Sequence, residues 1–141
     1  PILAAAKAPV ANVAPASPEL AFRAIDVWID TGSEPLAAYQ ADLHDALGHW
    51  KIVGIEGGAH ELFREPPHYD DAAIQNDRVI IAAFSTARAD ALPTGRIRVA
   101  RLHVIIEDGA EPGPEGVLEI SATFEGRPIE ADLELIWNDA T

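Results

Sequence analysis

The chain contains no cysteine and no methionine. Without cysteine there is no disulfide framework and no thiolate metal site, so redox chemistry gives no clue to compartment. Positive charge is scarce: 10 Lys and Arg stand against 23 Asp and Glu, for a net charge of −13. Phosphates and anionic membrane surfaces would be repelled. Nucleic acid is thereby excluded as a partner, and basic or neutral partners are left. No apolar run approaches the roughly 20 residues that cross a bilayer, so no membrane insertion is expected. No signal-peptide pattern is visible. Aromatic residues make up 6% of the chain, too few for a broad sugar-stacking platform; Trp28 and Trp50 are the exceptions. The sequence opens at Pro1, which reads either as a processed mature form or as a chain whose upstream residues are not included.

What remains is an ordinary globular balance: 141 residues, 48% hydrophobic and 23% charged. That length suits one domain with one continuous core. Residues 1–19, PILAAAKAPVANVAPASPE, differ from the rest in being rich in alanine and proline. Proline fixes φ and removes a donor, so a regular helix is excluded and an extended arm is expected. Its sizeable apolar side chains are Ile2, Leu3, Val10 and Val13. These are the expected anchors, either on the same domain as an edge strand or on a neighbouring subunit. The boundaries are therefore an arm over 1–19 and a β-domain over 20–141.

Alternation with a period of two dominates the domain. Ile25, Val27 and Ile29 share one face of the first strand, against Asp26, Trp28 and Asp30. Residues 35–58 read as two strands around a break at Asp45-Ala46-Leu47-Gly48, with Tyr39 and Leu43 on the larger apolar side. Gly54 marks a bulge or close approach, and Gly57-Gly58 supplies backbone freedom at the exit. Residues 59–77 are irregular, because Pro66-Pro67 forbids helix and central strand; Leu62, Phe63 and Tyr69 pin this loop to the body. The run RVIIAAFS over 78–85 reads as a buried strand. Residues 95–107 switch phase between Ile97/Val99 and Leu102/Val104/Ile106, which predicts a bulge near Ala100–Arg101. The end reads as a hairpin, with Leu118, Ile120, Ala122 and Phe124 facing the core opposite Ile129, Ala131, Leu133, Leu135 and Trp137. The sum is an all-β, antiparallel sandwich of jelly-roll type with about nine strands.

Catalytic and metal patterns fail one by one. His60-Glu61-Leu62-Phe63-Arg64 begins like a zinc-protease helix, but the second histidine is an arginine and prolines follow. Asp70, Asp71 and Asp77 crowd one loop, and carboxylates gathered there are the candidate for Ca2+. His44 and His49 flank the turn and would approach each other across a hairpin. His103 sits mid-strand facing water. Ser33, Ser85 and Ser121 lie in no nucleophile elbow. Paired acids at glycosidase spacing are guaranteed by chance among so many carboxylates. The expectation is therefore no catalytic residue and no enzyme.

The strand patterns themselves resemble a cohesin-type domain, of the cohesin and carbohydrate-binding-module-like β-sandwich superfamily. The likeness is carried by Ile25-Asp26-Val27-Trp28-Ile29 with Gly32 after it, and by Ala38-Tyr39-Gln40-Ala41-Asp42-Leu43. It continues through Ile52-Val53-Gly54-Ile55-Glu56-Gly57-Gly58, the strand at 77–85, and the stretch at 92–104. It spans about residues 22–107 and covers neither the arm nor the last two strands. The resemblance implies a nine-strand jelly roll outside the cell, one sheet face of which takes a helical dockerin. The contact residues of that face form no fixed motif, so none is assigned.

Two functions compete on these grounds. One is an extracellular structural subunit that polymerises with other copies of itself, the arm of one docking onto the next as a donated strand. The other is a binding module of a larger surface protein, recognising a dockerin-like partner protein or a glycan.

Overall fold

The computed structural model describes residues 20–72, 77–107 and 109–138. The arm and its anchors Ile2, Leu3, Val10 and Val13 lie outside the described residues. The described residues form eight strands: β1 Leu20–Asp30, β2 Ala38–Asp45, β3 Trp50–Gly57, β4 His68–Tyr69, β5 Arg78–Phe84, β6 Arg96–Glu107, β7 Pro114–Ala122 and β8 Asp132–Asn138. They form two antiparallel four-stranded sheets. The first has the order β3-β6-β1-β8 and the second β4-β5-β2-β7. The expected β-sandwich is what the chain builds, with eight strands among the described residues against about nine expected.

The core fills the space between the sheets. Ile25, Val27 and Ile29 of β1, Tyr39, Ala41 and Leu43 of β2, and Val79 and Ile81 of β5 are all buried there. Leu102 and Val104 of β6 complete it. Each of the larger aliphatic side chains contributes about 1.5–3 kcal/mol on leaving water, which is why strict alternation fixes the register. Tyr39 packs on Phe63 with ring centroids 5.9 Å apart, so the irregular loop is indeed pinned to the body. The Tyr39 hydroxyl is buried with no hydrogen-bond partner, and burial pushes its pKa above the ordinary phenol value.

Two bulges occur where the pattern changes phase. Val99 is the extra residue of β6, between the pairs Trp28↔Arg98 and Val27↔Ala100. That is one or two residues before the expected position. Val53 is the extra residue of β3, immediately before Gly54. Gly57 and Gly58 have a different reason for being glycine from the one expected. Neither has positive φ. A Cβ on Gly57 would stand 2.0 Å from the Arg64 carbonyl oxygen, and one on Gly58 2.1 Å from that of Arg98. Close backbone approach, not a left-handed turn, requires them.

The two expected hairpins are absent. β2 and β3 are consecutive but lie in different sheets, as do β7 and β8. The segments cross from layer to layer at the ends of the sandwich. At one end Asp45 holds the crossing. It is 5% exposed, and its carboxylate accepts from the N–H groups of Leu47 at 3.0 Å, His49 at 2.6 Å and Gly113 at 2.6 Å. Burial raises its pKa, but the backbone donors of Gly113, Leu47, His49 and Trp50 outweigh burial and hold the carboxyl below its usual range.

The last strand pair also departs from the expected phase. Glu119 is an extra residue between the pairs Ala41↔Leu118 and Gln40↔Ile120. Leu118 therefore faces inward, while Ile120 faces out. Phe124 lies in the turn beyond β7 and is exposed. A bulge resets the alternation, and nothing in LEISATF announces it.

Candidate functional site

The outer faces of the two sheets differ in chemistry. On the β3-β6-β1-β8 face, outward cations meet carboxylates. Arg101 bonds Asp26 at 2.6 Å, Arg96 bonds Glu134 at 3.1 Å, and His103 contacts Glu56. Arg96 also lies over the Trp28 ring, 4.0 Å from its centroid. Such pairs are solvated and hold one another, and the same face also exposes Phe22 at 75%, with Leu20, Val53 and Ile136 exposed around it.

The β4-β5-β2-β7 face is apolar at its flanks. Register places its outward residues in rows: Phe84–Ala38–Ala122, then His68–Ala82–Gln40–Ile120, then Ile80–Asp42–Val117, then Arg78–His44–Glu115. Phe84 is 75% exposed, Val117 57%, Ile120 50% and Ile80 40%. Between these flanks β2 supplies a polar line of Gln40, Asp42 and His44. Each member is fixed by a neighbour. Gln40 donates to Glu119 at 2.9 Å, Arg78 donates to Asp42 at 2.9 Å, and His44 meets Glu115 at 3.2 Å. The side chains are thus held before any partner arrives, which lowers the entropy lost on docking. Beyond β4 the face continues into a concavity of about 430 Å³ lined by Leu62, Pro66, Pro67, His68 and Phe84 among others.

The run RVIIAAFS is not buried throughout, contrary to expectation. Val79 and Ile81 are buried, whereas Ile80 and Phe84 project to solvent. A two-layer sandwich buries only one face of each sheet, so an unbroken apolar run in it must expose alternate residues. That run is the sequence signal for this surface.

The other candidates disperse. His44 and His49 do not meet; His49 instead contacts the Glu111 carbonyl oxygen at 3.0 Å. His60 caps the short 3-10 turn Glu61–Phe63, its ring accepting from Leu62 N–H at 3.1 Å. Among the described residues no three acidic or histidine side chains gather to hold a cation. Asp70 instead accepts from the Ala72 N–H at 3.0 Å. Trp50 is a core residue, with its indole N–H donating to the Asp77 carbonyl at 2.8 Å and its ring edge-on to Trp137.

No family model matches the sequence, and no curated protein matches it. A solved structure does: a chain of the CaDoc0917–CaCohA2 crystal complex, a cohesin–dockerin pair, with a TM-score of 0.59. The match covers 78% of this chain and 82% of that one, at 15% identity. The fold is that of a cohesin domain. The resemblance drawn from strand patterns is thereby sustained at the level of fold, and the cohesin fold now supplies the frame for both outer faces.

Proposed function

We propose that the chain is a non-catalytic, extracellular protein-interaction module whose partner docks on the outer face of the β4-β5-β2-β7 sheet. The carrying observation is the arrangement on that face: Ile80, Phe84, Val117 and Ile120 are exposed around a line of polar side chains already fixed by their neighbours. Apolar flanks with fixed polar groups between them are the composition of a protein interface. In the structurally similar complex a cohesin is paired with a dockerin, which supports a protein rather than a glycan as the partner here. The net charge of −13 favours a basic or neutral one.

Ile80→Asp with Phe84→Asp tests this. Both side chains point to solvent, so the fold is retained while a partner captured by the unaltered protein is lost. Val53→Asp, on a strand of the opposite sheet, leaves capture intact. Equal capture by the double variant and the parent refutes the reading, as does a glycan bound equally by both.

A second reading is self-assembly into a filament through residues 1–19, with Ile2, Leu3, Val10 and Val13 gripped by a neighbouring copy. The observation favouring it is the outer edge of β7: among the described residues no strand pairs there, and only its Ser121–Ala122 end is met, by Pro128 and Ile129. Removal of 1–19 abolishes fibres seen by electron microscopy; fibres that persist overturn it.

A further inference from the structure

Among the described residues, β7 and β8 are the edge strands of their sheets, on the same side of the sandwich. After the turn at Gly126, the chain touches β7 again. Ile129 N–H donates to the Ser121 carbonyl at 2.8 Å, and Ala122 bridges Pro128. It then leaves to start β8 in the other sheet. The slot beside β7 is left as a groove of about 690 Å³, with Leu118–Ala122 on one wall and Gly126 and 128–132 on the other. An edge strand flanked by such a groove is an acceptor for one more strand.

We infer that this groove receives residues 1–19 of a second copy of this chain, added as a strand along β7; the inference rests on the self-assembly reading. Three observations select this occupant. The first is composition. The segment holds proline-free runs, ILAAAKA and VANVA, that can donate to a ladder, and alanine suits a narrow slot. The second is charge. The groove walls carry Glu119, Glu130 and Asp132, while the segment's cation is Lys7 and its acid is Glu19, next to β1. On a body of net charge −13 few stretches are so free of repulsion from that wall.

The third is position. The segment joins β1 at Leu20, which pairs with Glu107 at one end of the sandwich. The groove lies at the other end, where Asp30 pairs with Asp132 and Ala38 with Ala122. Between them runs the length of β1, 11 residues, or about 35 Å. To reach its own groove the segment would have to reverse direction just before Leu20 and return along that length. A donor at one end and an acceptor at the other make a heterologous contact that does not close on itself.

The absence of cysteine makes the test clean. Full-length Lys7→Cys and Glu130→Cys chains are mixed and treated with a short bismaleimide. A cross-linked heterodimer in severalfold excess over a Lys7→Cys and Lys51→Cys mixture is expected. The chain carrying both Lys7→Cys and Glu130→Cys gives a ladder of multimers. An internal link within single chains overturns the transfer between copies, and no excess over the control overturns the groove. Light scattering on the chain lacking 1–19 separates the two levels. Association that survives the deletion defeats self-assembly through the arm. Association lost on deletion, without cross-linking at Glu130, defeats the groove alone.

Discussion

Replacing Asp45 tests the account of how the two sheets are joined. Its carboxylate accepts from three backbone N–H groups, at Leu47, His49 and Gly113. Asp45→Ala leaves all three without that acceptor. Leu47 and His49 are exposed, so water replaces the carboxylate there at modest cost. Gly113 is half-buried and loses a charge-assisted bond outright. Summing these gives about 3 kcal/mol, since bonds to charged groups are worth roughly 1.5–3 and water recovers part. For a domain of this size that is a fall in Tm of about 10 °C. Asp45→Asn keeps one carbonyl oxygen and costs about half as much.

The pH dependence follows from the lowered native pKa of Asp45. Its stabilisation is fully present above the unfolded carboxylate range and is lost as pH falls through the native value. Asparagine does not titrate. The gap between parent and Asp45→Asn is therefore full at pH 7 and closes below about pH 4. Urea unfolding followed by tryptophan fluorescence at both pH values measures it. An Asp45→Ala cost under about 1 kcal/mol, or a gap to Asp45→Asn that does not narrow in acid, refutes the reasoning.

Tyr39→Phe removes a buried hydroxyl without a partner, so stability rises by up to about 1 kcal/mol; a loss of that size in urea unfolding contradicts it. Gly57→Ala drives a methyl to 2.0 Å from the Arg64 carbonyl and costs about 3 kcal/mol, read as a lower urea midpoint; an unchanged midpoint shows that the 59–67 loop yields freely. Asp42→Ala frees Arg78, whose side chain is 59% exposed, so stability changes by less than about 1 kcal/mol while capture of a partner on that face weakens; unchanged capture removes the polar line from the interface.

The inward faces of β1, β2 and β6 are legible in the sequence because one face of each alternates with polar residues and only one register buries it. The proline-bearing loop is legible for a covalent reason, since Pro66-Pro67 admits neither ladder nor helix. The layer changes after β2 and β7 are not legible. A turn of a few residues reads alike whether it reverses a strand within a sheet or passes it to the other layer. The docking surface is misread for a related cause. An apolar run says that residues avoid polar chemistry, not that both sides are covered, so Ile80 and Phe84 read as belonging to an interior that a two-layer fold does not have. The Glu119 bulge escapes because all residues from Leu118 to Phe124 keep a perfect alternation in sequence that the backbone breaks.

β1 and β8 run side by side in opposite directions, with Ala24 beside Asn138. Leu20 and Asn138 therefore sit at the same pole of the slab. The described chain thus enters and leaves the slab at one pole, while Ile80 and Phe84 stand on the outer face of the other sheet, so a partner could cover that face without crowding either end of the described chain.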